Sequence, residues 1–257
     1  MRIDGKVVLI TGASEGIGAA CAAEFARAGG RLSLVARSEE RLRKAGGPDA
    51  LITPGDITID EVRRRAVART LEQYGAIDIL INNAGIGSYL PSWSAPMEDV
   101  RCLMELNFFA ALGMIQAVAP AMRERRSGMI VDVSSIAGKI TLPWMTLYSA
   151  SKFALGSLTE GLRSELRRDG IRTMVVCPGY VKTAFQQHVR GGKTPARVLS
   201  SRRFAITAAE CAAAIRRGVE RDARTIVTPR SGWLLVGLVR LFPAFAESRL
   251  AEMNEPA

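Results

Sequence analysis

A tyrosine, a lysine and a serine within one short stretch have the chemistry to move a proton. Between Val133 and Phe153 the chain reads V-S-S-I-A-G-K-I-T-L-P-W-M-T-L-Y-S-A-S-K-F. Tyr148 and Lys152 are four residues apart, so on a helix they share one face, one turn from each other. A phenol with its ordinary pKa of about 10 is a poor acid or base at neutral pH. A lysine ammonium beside it favours the phenolate and is expected to lower that value towards the range of proton transfer. The Ser135 hydroxyl is placed to hold an oxygen on which charge develops. Tyrosine and lysine at helical spacing are also an ordinary core residue and its solvated neighbour. The pair therefore takes its meaning from what surrounds it.

The elements that must position these groups are legible in the hydrophobic pattern. The run G-M-I-V-D-V-S-S reads as a buried strand that delivers Ser135 into a loop, and the helix after it carries Tyr148 and Lys152. At the other end of the chain, the apolar run Lys6–Ile10 leads into T-G-A-S-E-G-I-G and then the helical pattern A-A-C-A-A-E-F-A-R-A. Strand, glycine-rich turn and helix are the context of a phosphate-cradling loop. Gly12 permits the turn, Gly16 lets a pyrophosphate approach the backbone, and Gly18 allows the helix to pack closely on the strand. The N–H groups and positive dipole end of the helix then face the anion.

The second strand, R-L-S-L-V-A, ends at Ala36. An acidic residue there would hold the adenosine ribose hydroxyls and point to NAD. Ala36 followed by Arg37 instead suits a 2′-phosphate, so NADP is expected and NAD is the weaker expectation. Glu15 adds no positive charge, and the competing reading is that Arg37 only opens the helix S-E-E-R-L-R-K. A third strand is expected over Ala50–Thr53. Asp56 can accept from an adenine amino group, cap a helix starting near Asp60, or do both. The strand I-D-I-L-I runs into N-N-A-G, where Ala84 and Gly85 let a ligand pass close to the backbone and Asn82 can tie neighbouring strands.

Residues Met97–Met122 read as one long apolar helix in which Asn107 invites a local irregularity. I-R-T-M-V-V is a sixth strand stopped by Pro178-Gly179, and R-T-I-V-T is a last one. Residues 184 to 207 show no clean period and are expected to form a lid. Thr207 is expected to cap the helix that follows. The alternation of strands and helices predicts a single α/β domain over residues 1–230, a doubly wound Rossmann fold with a parallel sheet of about seven strands.

Composition narrows the classes. The 257 residues are 48% hydrophobic, which suits a globular chain with a sizeable core. Cys21, Cys102, Cys177 and Cys211 are widely spread and His188 is the only histidine, so no metal site and no disulfide framework are expected. No signal peptide precedes the first strand, and a cytoplasmic location is the expectation. The net charge of +10 is not organised on a nucleic-acid-binding module, and no nucleic-acid partner is expected. Attraction to phosphate cofactors or to an anionic membrane surface remains open. Residues 231–257 form an apolar appendage around W-L-L-V-G-L-V-R-L-F-P-A-F, too short to span a bilayer. Its first reading is packing on a partner subunit or over a pocket; its second is shallow contact with a membrane.

These motifs together resemble the short-chain dehydrogenase/reductase family over about residues 5 to 230. The matches are T-G-x-x-x-G-x-G at Thr11–Gly18, Asp56, N-N-A-G at Asn82–Gly85, Asn107, Ser135, Y-x-x-x-K at Tyr148–Lys152, and P-G-x-x-x-T at Pro178–Thr183. Each is modest alone, and their ordered occurrence is specific. The resemblance implies a catalytic set of Asn107, Ser135, Tyr148 and Lys152, with Asn107 holding a water in a proton relay to Lys152. It implies cofactor contacts at Gly12, Ser14, Glu15, Gly16, Ile17, Gly18, Arg37, Asp56, Ile57, Asn83, Ala84, Gly85, Tyr148, Lys152, Pro178, Gly179, Val181 and Thr183. Thr183 and the backbone near Val181 would hold the nicotinamide carboxamide. It further implies a homodimer or homotetramer with the Asn107 and Tyr148 helices at the interface. The expected activity is NADP-dependent carbonyl reduction or alcohol oxidation. Apolar stretches near Ile86–Trp93 and Lys139–Met145 point to a hydrophobic substrate such as a steroid, fatty acyl or sphingoid-type ketone. The alternative is a non-catalytic dinucleotide sensor on the same fold.

Overall fold

The computed structural model describes residues 1–191 and 205–254. Seven parallel strands form its central sheet: β1 (Val7–Thr11), β2 (Arg31–Ala36), β3 (Leu51–Pro54), β4 (Ile79–Asn82), β5 (Gly128–Val133), β6 (Ile171–Pro178) and β7 (Thr225–Thr228). Their order across the sheet is β3-β2-β1-β4-β5-β6-β7. Strands buried on both faces need near-continuous apolar runs, and V-V-L-I-T and G-M-I-V-D-V supply them. Chain direction across the sheet reverses at β1, which pairs with β2 on one side and β4 on the other. The connections after β1 and β4 therefore diverge, opening a crevice at the carboxyl ends of the strands.

Side chains alternate between two cores. Val8 and Ile10 join Cys21 and Phe25 of helix α1 (Gly16–Arg27) on one face. Leu9 joins Val62 and Ala66 of helix α3 (Asp60–Tyr74) on the other. Helix α2 (Glu39–Gly46) follows β2 directly, with Ser38 accepting from Arg41 N at 3.4 Å.

The long apolar helix is interrupted where Asn107 stands. Helix α4 (Met97–Met104) passes into a π-helical turn at Glu105–Phe109 and then helix α5 (Ala110–Glu124). By length and composition Met97–Glu124 could cross a bilayer, yet Met114, Ile115, Val118 and Met122 are buried in the second core beside Leu80 and Ile130. It is a core helix of the sheet. Helix α6 (Thr146–Glu165) carries Tyr148 and Lys152. Helix α7 (Ala208–Glu220) begins at a capping box, with Thr207 Oγ1 accepting from Glu210 N at 3.1 Å. Beyond β7 the chain forms helices α8 (Gly232–Leu241) and α9 (Pro243–Asn254). The third strand lies one residue later than the hydrophobic pattern suggested, and most of the expected lid falls outside the described residues.

Candidate active site

The glycine loop sits at the crevice. Gly12 has φ +63°, and a Cβ there would lie 2.8 Å from Ala84 Cα, so the loop and N-N-A-G touch backbone to backbone. A Cβ on Gly18 would run into the Gly12 carbonyl and lie 2.6 Å from Asn83 Nδ2. Asn83 Nδ2 donates to the carbonyls of Thr11 and Gly12, both at 3.1 Å, while Thr11 Oγ1 accepts from Asn83 N at 3.1 Å. The first turn of α1 holds no acidic residue and no side chain caps it, so its N–H groups face outward. Ser14, Glu15, Gly16 and Ile17 line this half-exposed loop, and Thr183 stands over it, its Cγ2 3.4 Å from a Cβ built on Gly16. Thr183 itself caps the turn Ala184–His188. Pro178, Gly179 and Val181 lead out of β6 beside it, with Gly179 N donating to Thr228 O at 2.8 Å. A phosphate-bearing dinucleotide fits this cradle.

Arg37 is exposed at the end of β2, next to buried Ala36. Arg41 comes with it. Its guanidinium lies 3.1 Å from Glu15, whose other carboxylate oxygen is 2.8 Å from His188 Nε2. Neither Arg41 nor His188 was among the residues expected here. The signal for Arg41 was its position one helical turn past Arg37, on a helix that starts at the strand end. Asp56 does not cap α3: its Oδ1 accepts from Thr58 N at 2.9 Å and Thr58 Oγ1 at 2.8 Å, and Ile59 takes the cap position without a side-chain bond. The turn around Thr58 uses the carboxylate before the helix can. Ile57 is buried in the second core, which leaves only its backbone to meet a ligand.

Ser135, Tyr148 and Lys152 come together between β5 and α6. Tyr148 is buried, with the Ser135 hydroxyl favouring its phenolate form; Ser135 Oγ accepts from Ala137 N at 3.1 Å. Lys152 Nζ donates to Val133 O at 3.0 Å and lies 5.9 Å from the centre of the Tyr148 ring. Gly85 passes between Asn107 and Lys152, since a Cβ on it would meet Asn107 Oδ1 at 3.0 Å and Lys152 Nζ at 3.2 Å. Asn107 is pinned by its side chain: Oδ1 accepts from Ile86 N, and Nδ2 donates to Ile86 O, both at 2.9 Å, and to Ser151 Oγ at 3.0 Å. The π-helical turn thus fixes the loop after N-N-A-G.

Electrostatics depart from the expectation in one respect. Burial pushes the Tyr148 phenol up to about 12, opposed by its hydrogen bond with Ser135, so Lys152 does not hold it below its ordinary value. Burial also pushes Lys152 down to about 8, with Asp132 the main opposing influence. Asp132 is itself buried and raised to about 6 by desolvation, against hydrogen bonds from Asn82 Nδ2 and Thr159 Oγ1, both 2.8 Å. Asn82 therefore ties β4 to β5 as expected. Asp132 was missed, although a lone acid inside the apolar run I-V-D-V was its signal. Above Tyr148, the apolar cluster includes Ile86, Leu103, Leu142, Met145, Leu147 and Phe185. Leu90 N donates to Trp144 O at 3.0 Å, joining the two stretches expected as pocket walls.

Sheet order, glycine cradle and the Ser-Tyr-Lys arrangement define the dinucleotide-binding oxidoreductases of the doubly wound type. The family model described as short chain dehydrogenase matches residues 6–194, and the chain belongs to that family. It is 34% identical over 252 residues to a dehydrogenase/reductase SDR family protein 7-like from Anopheles gambiae, covering 91% of this chain and 79% of the relative. It is 39% identical over 197 residues to dehydrogenase/reductase SDR family member 7B from Danio rerio, covering 71% of this chain and 63% of the relative. An 11-beta-hydroxysteroid dehydrogenase-like protein 4A from Arabidopsis thaliana is 33% identical over 250 residues, with 91% and 79% covered. Among solved structures, a short chain dehydrogenase from Burkholderia cenocepacia in complex with NADP superposes with a TM-score of 0.82 at 30% identity, covering 97% and 99% of the two chains. One from Burkholderia phymatum in complex with NAD gives 0.85 at 25% identity, with 95% and 96% covered.

Proposed function

We propose that this oxidoreductase is an NADP(H)-dependent reductase of hydrophobic ketones. The observation that carries the reading is Tyr148: a buried phenol facing the Ser135 hydroxyl, one turn from Lys152, beneath an apolar wall and beside the glycine cradle. The nicotinamide dinucleotide, when bound, supplies the hydride that goes to the carbonyl carbon. Tyr148 gives its proton to the carbonyl oxygen as the C=O bond becomes an alcohol, and Ser135 holds that oxygen in place. Raised by burial, the Tyr148 phenol carries its proton in the neutral range, the form that donates in reduction, and oxidation of the alcohol runs the same path in reverse. The Lys152 ammonium supplies positive charge beside the developing tyrosinate. Asn107 acts as a positioning residue for the loop after β4 and for Ser151, and so for the proton path towards Lys152.

Arg37, exposed and adjoining Ala36, supports NADP over NAD, with Arg41 completing a basic corner at the adenosine end. The apolar residues over Tyr148, and the steroid dehydrogenase-like names among the relatives, support a steroid, fatty acyl or sphingoid-type ketone. Exposed Phe109 and Phe153, on the helical segments that carry Asn107 and Tyr148, support a homo-oligomer joined there. Free cysteines suit a cytoplasmic setting.

The test is nicotinamide consumption over a panel from small polar ketones to long-chain keto lipids and steroids, with both cofactors. The expected result is a rate that rises with apolar bulk, a preference for NADPH over NADH, and loss of that preference in Arg37→Glu. A rate that falls with apolar bulk overturns the substrate reading, and equal use of both cofactors overturns the Arg37 assignment.

A further inference from the structure

Helix α8 wears its apolar side chains on the outside. Leu234, Leu241 and Phe242 are 78%, 75% and 60% exposed, and Trp233, Leu238 and Phe245 join them, whereas Val236 is the one buried residue of the helix. At about 100° per residue, Leu234, Leu238 and Leu241 fall on one stripe, with Val236 on the opposite side. A surface helix of a soluble domain turns its apolar stripe inward; this one turns it outward. The stripe continues through Phe242 into the first turn of α9, where Ala246 N donates to Phe242 O at 3.0 Å.

The patch is also basic in its setting. From Arg230 to Asn254 the chain carries Arg230, Arg240 and Arg249 against Glu247 and Glu252. Arg249 pairs with Glu252 at 3.3 Å; Arg230 and Arg240, which bracket α8, make no ion pair among the described residues. The helix starts next to the candidate active site: a Cβ on Gly232 would lie 3.4 Å from Ile136 Cδ1, in the turn after Ser135.

We propose that this face docks the protein on an anionic lipid bilayer, with α8 and the start of α9 lying in the headgroup plane. Ten helical residues extend about 15 Å, half of the roughly 30 Å hydrocarbon core, so the segment lies on the membrane and does not span it. Large apolar residues enter the interface while Arg230 and Arg240 meet anionic headgroups. A second copy of this chain is the poorer occupant. A two-fold contact sets this patch against a copy carrying the same unpaired arginines, whereas an anionic surface neutralises them.

Co-sedimentation of the full-length protein with vesicles tests this. Phosphatidylcholine alone is compared with phosphatidylcholine plus phosphatidylglycerol, for the wild type, Leu234→Glu/Leu241→Glu and Arg230→Gln/Arg240→Gln, with solution mass measured for each. The expected result is binding to the anionic vesicles that weakens with salt and falls about tenfold or more in each variant, with mass and NADPH binding unchanged. No binding by the wild type, or equal binding by Leu234→Glu/Leu241→Glu, overturns the proposal. So does a fall in oligomeric mass in that variant without vesicle binding, which gives the face to a second copy. Binding is read without turnover, so its failure and a failure of the reductase reading are separate results.

Discussion

At Tyr148 burial, with a smaller push from Cys177, raises the phenol against the Ser135 hydroxyl that lowers it, and burial wins. Behind them stands Asp132, a carboxyl with no exposure to solvent. Its folded pKa of about 6 lies above the ordinary carboxylate value near 3.9. Its contribution to stability is therefore complete below pH ~4 and lost as pH rises through about 6. Asp132→Asn cannot ionise and keeps its place: the Oδ1 bond from Asn82 survives, and Thr159 Oγ1 can turn its hydrogen to Leu155 O, 2.6 Å away, and accept from the new amide. Two outcomes are expected. Thermal unfolding of the variant should lose less stability than wild type between pH 4 and 7. In kcat/KM against pH, the alkaline limb should move to lower pH, because Lys152 loses the carboxylate that favours its charged form. An unmoved limb would mean that Asp132 does not act on Lys152.

At the scale of elements, the glycine loop and the π-helical turn do the positioning. Gly18→Ala puts a methyl against the Gly12 carbonyl and Asn83 Nδ2. The expected outcome is a loss of about 1–3 kcal/mol in denaturant unfolding, with weaker NADPH binding in a fluorescence titration. Tight binding and unchanged stability in this variant would show that the loop can yield there. The loop was legible in the sequence because a tight turn leaves few residue choices, and T-G-A-S-E-G-I-G makes them. The break at Asn107 was legible too, since an amide inside an apolar helix must find partners, and it finds Ile86 and Ser151. Other features depended on tertiary contacts that carry no local pattern. Asp56 could cap the next helix by position alone, but Thr58 takes its carboxylate; Arg41 carried no local signal of the contact with Glu15 to which α2 brings it. The height of the Tyr148 pKa depended on burial, which a spacing of four residues cannot express.

The molecule as a whole joins a parallel sheet that gathers the glycine loop and the buried Tyr148 at one end to an appendage of opposite habit, apolar outward. The sequence showed that the appendage was apolar; only the packing of Val236 shows which side faces the protein. The net charge of +10, unexplained by any nucleic-acid module, suits both a phosphate-bearing cofactor and an anionic surface. The central claim is that this assembly reduces ketones through Tyr148. Single-turnover and steady-state NADPH oxidation by wild type and Tyr148→Phe, with NADPH affinity measured alongside, tests it most directly. The account predicts that turnover falls by about 10²-fold or more while NADPH affinity stays close to wild type. Retained turnover in Tyr148→Phe would contradict it.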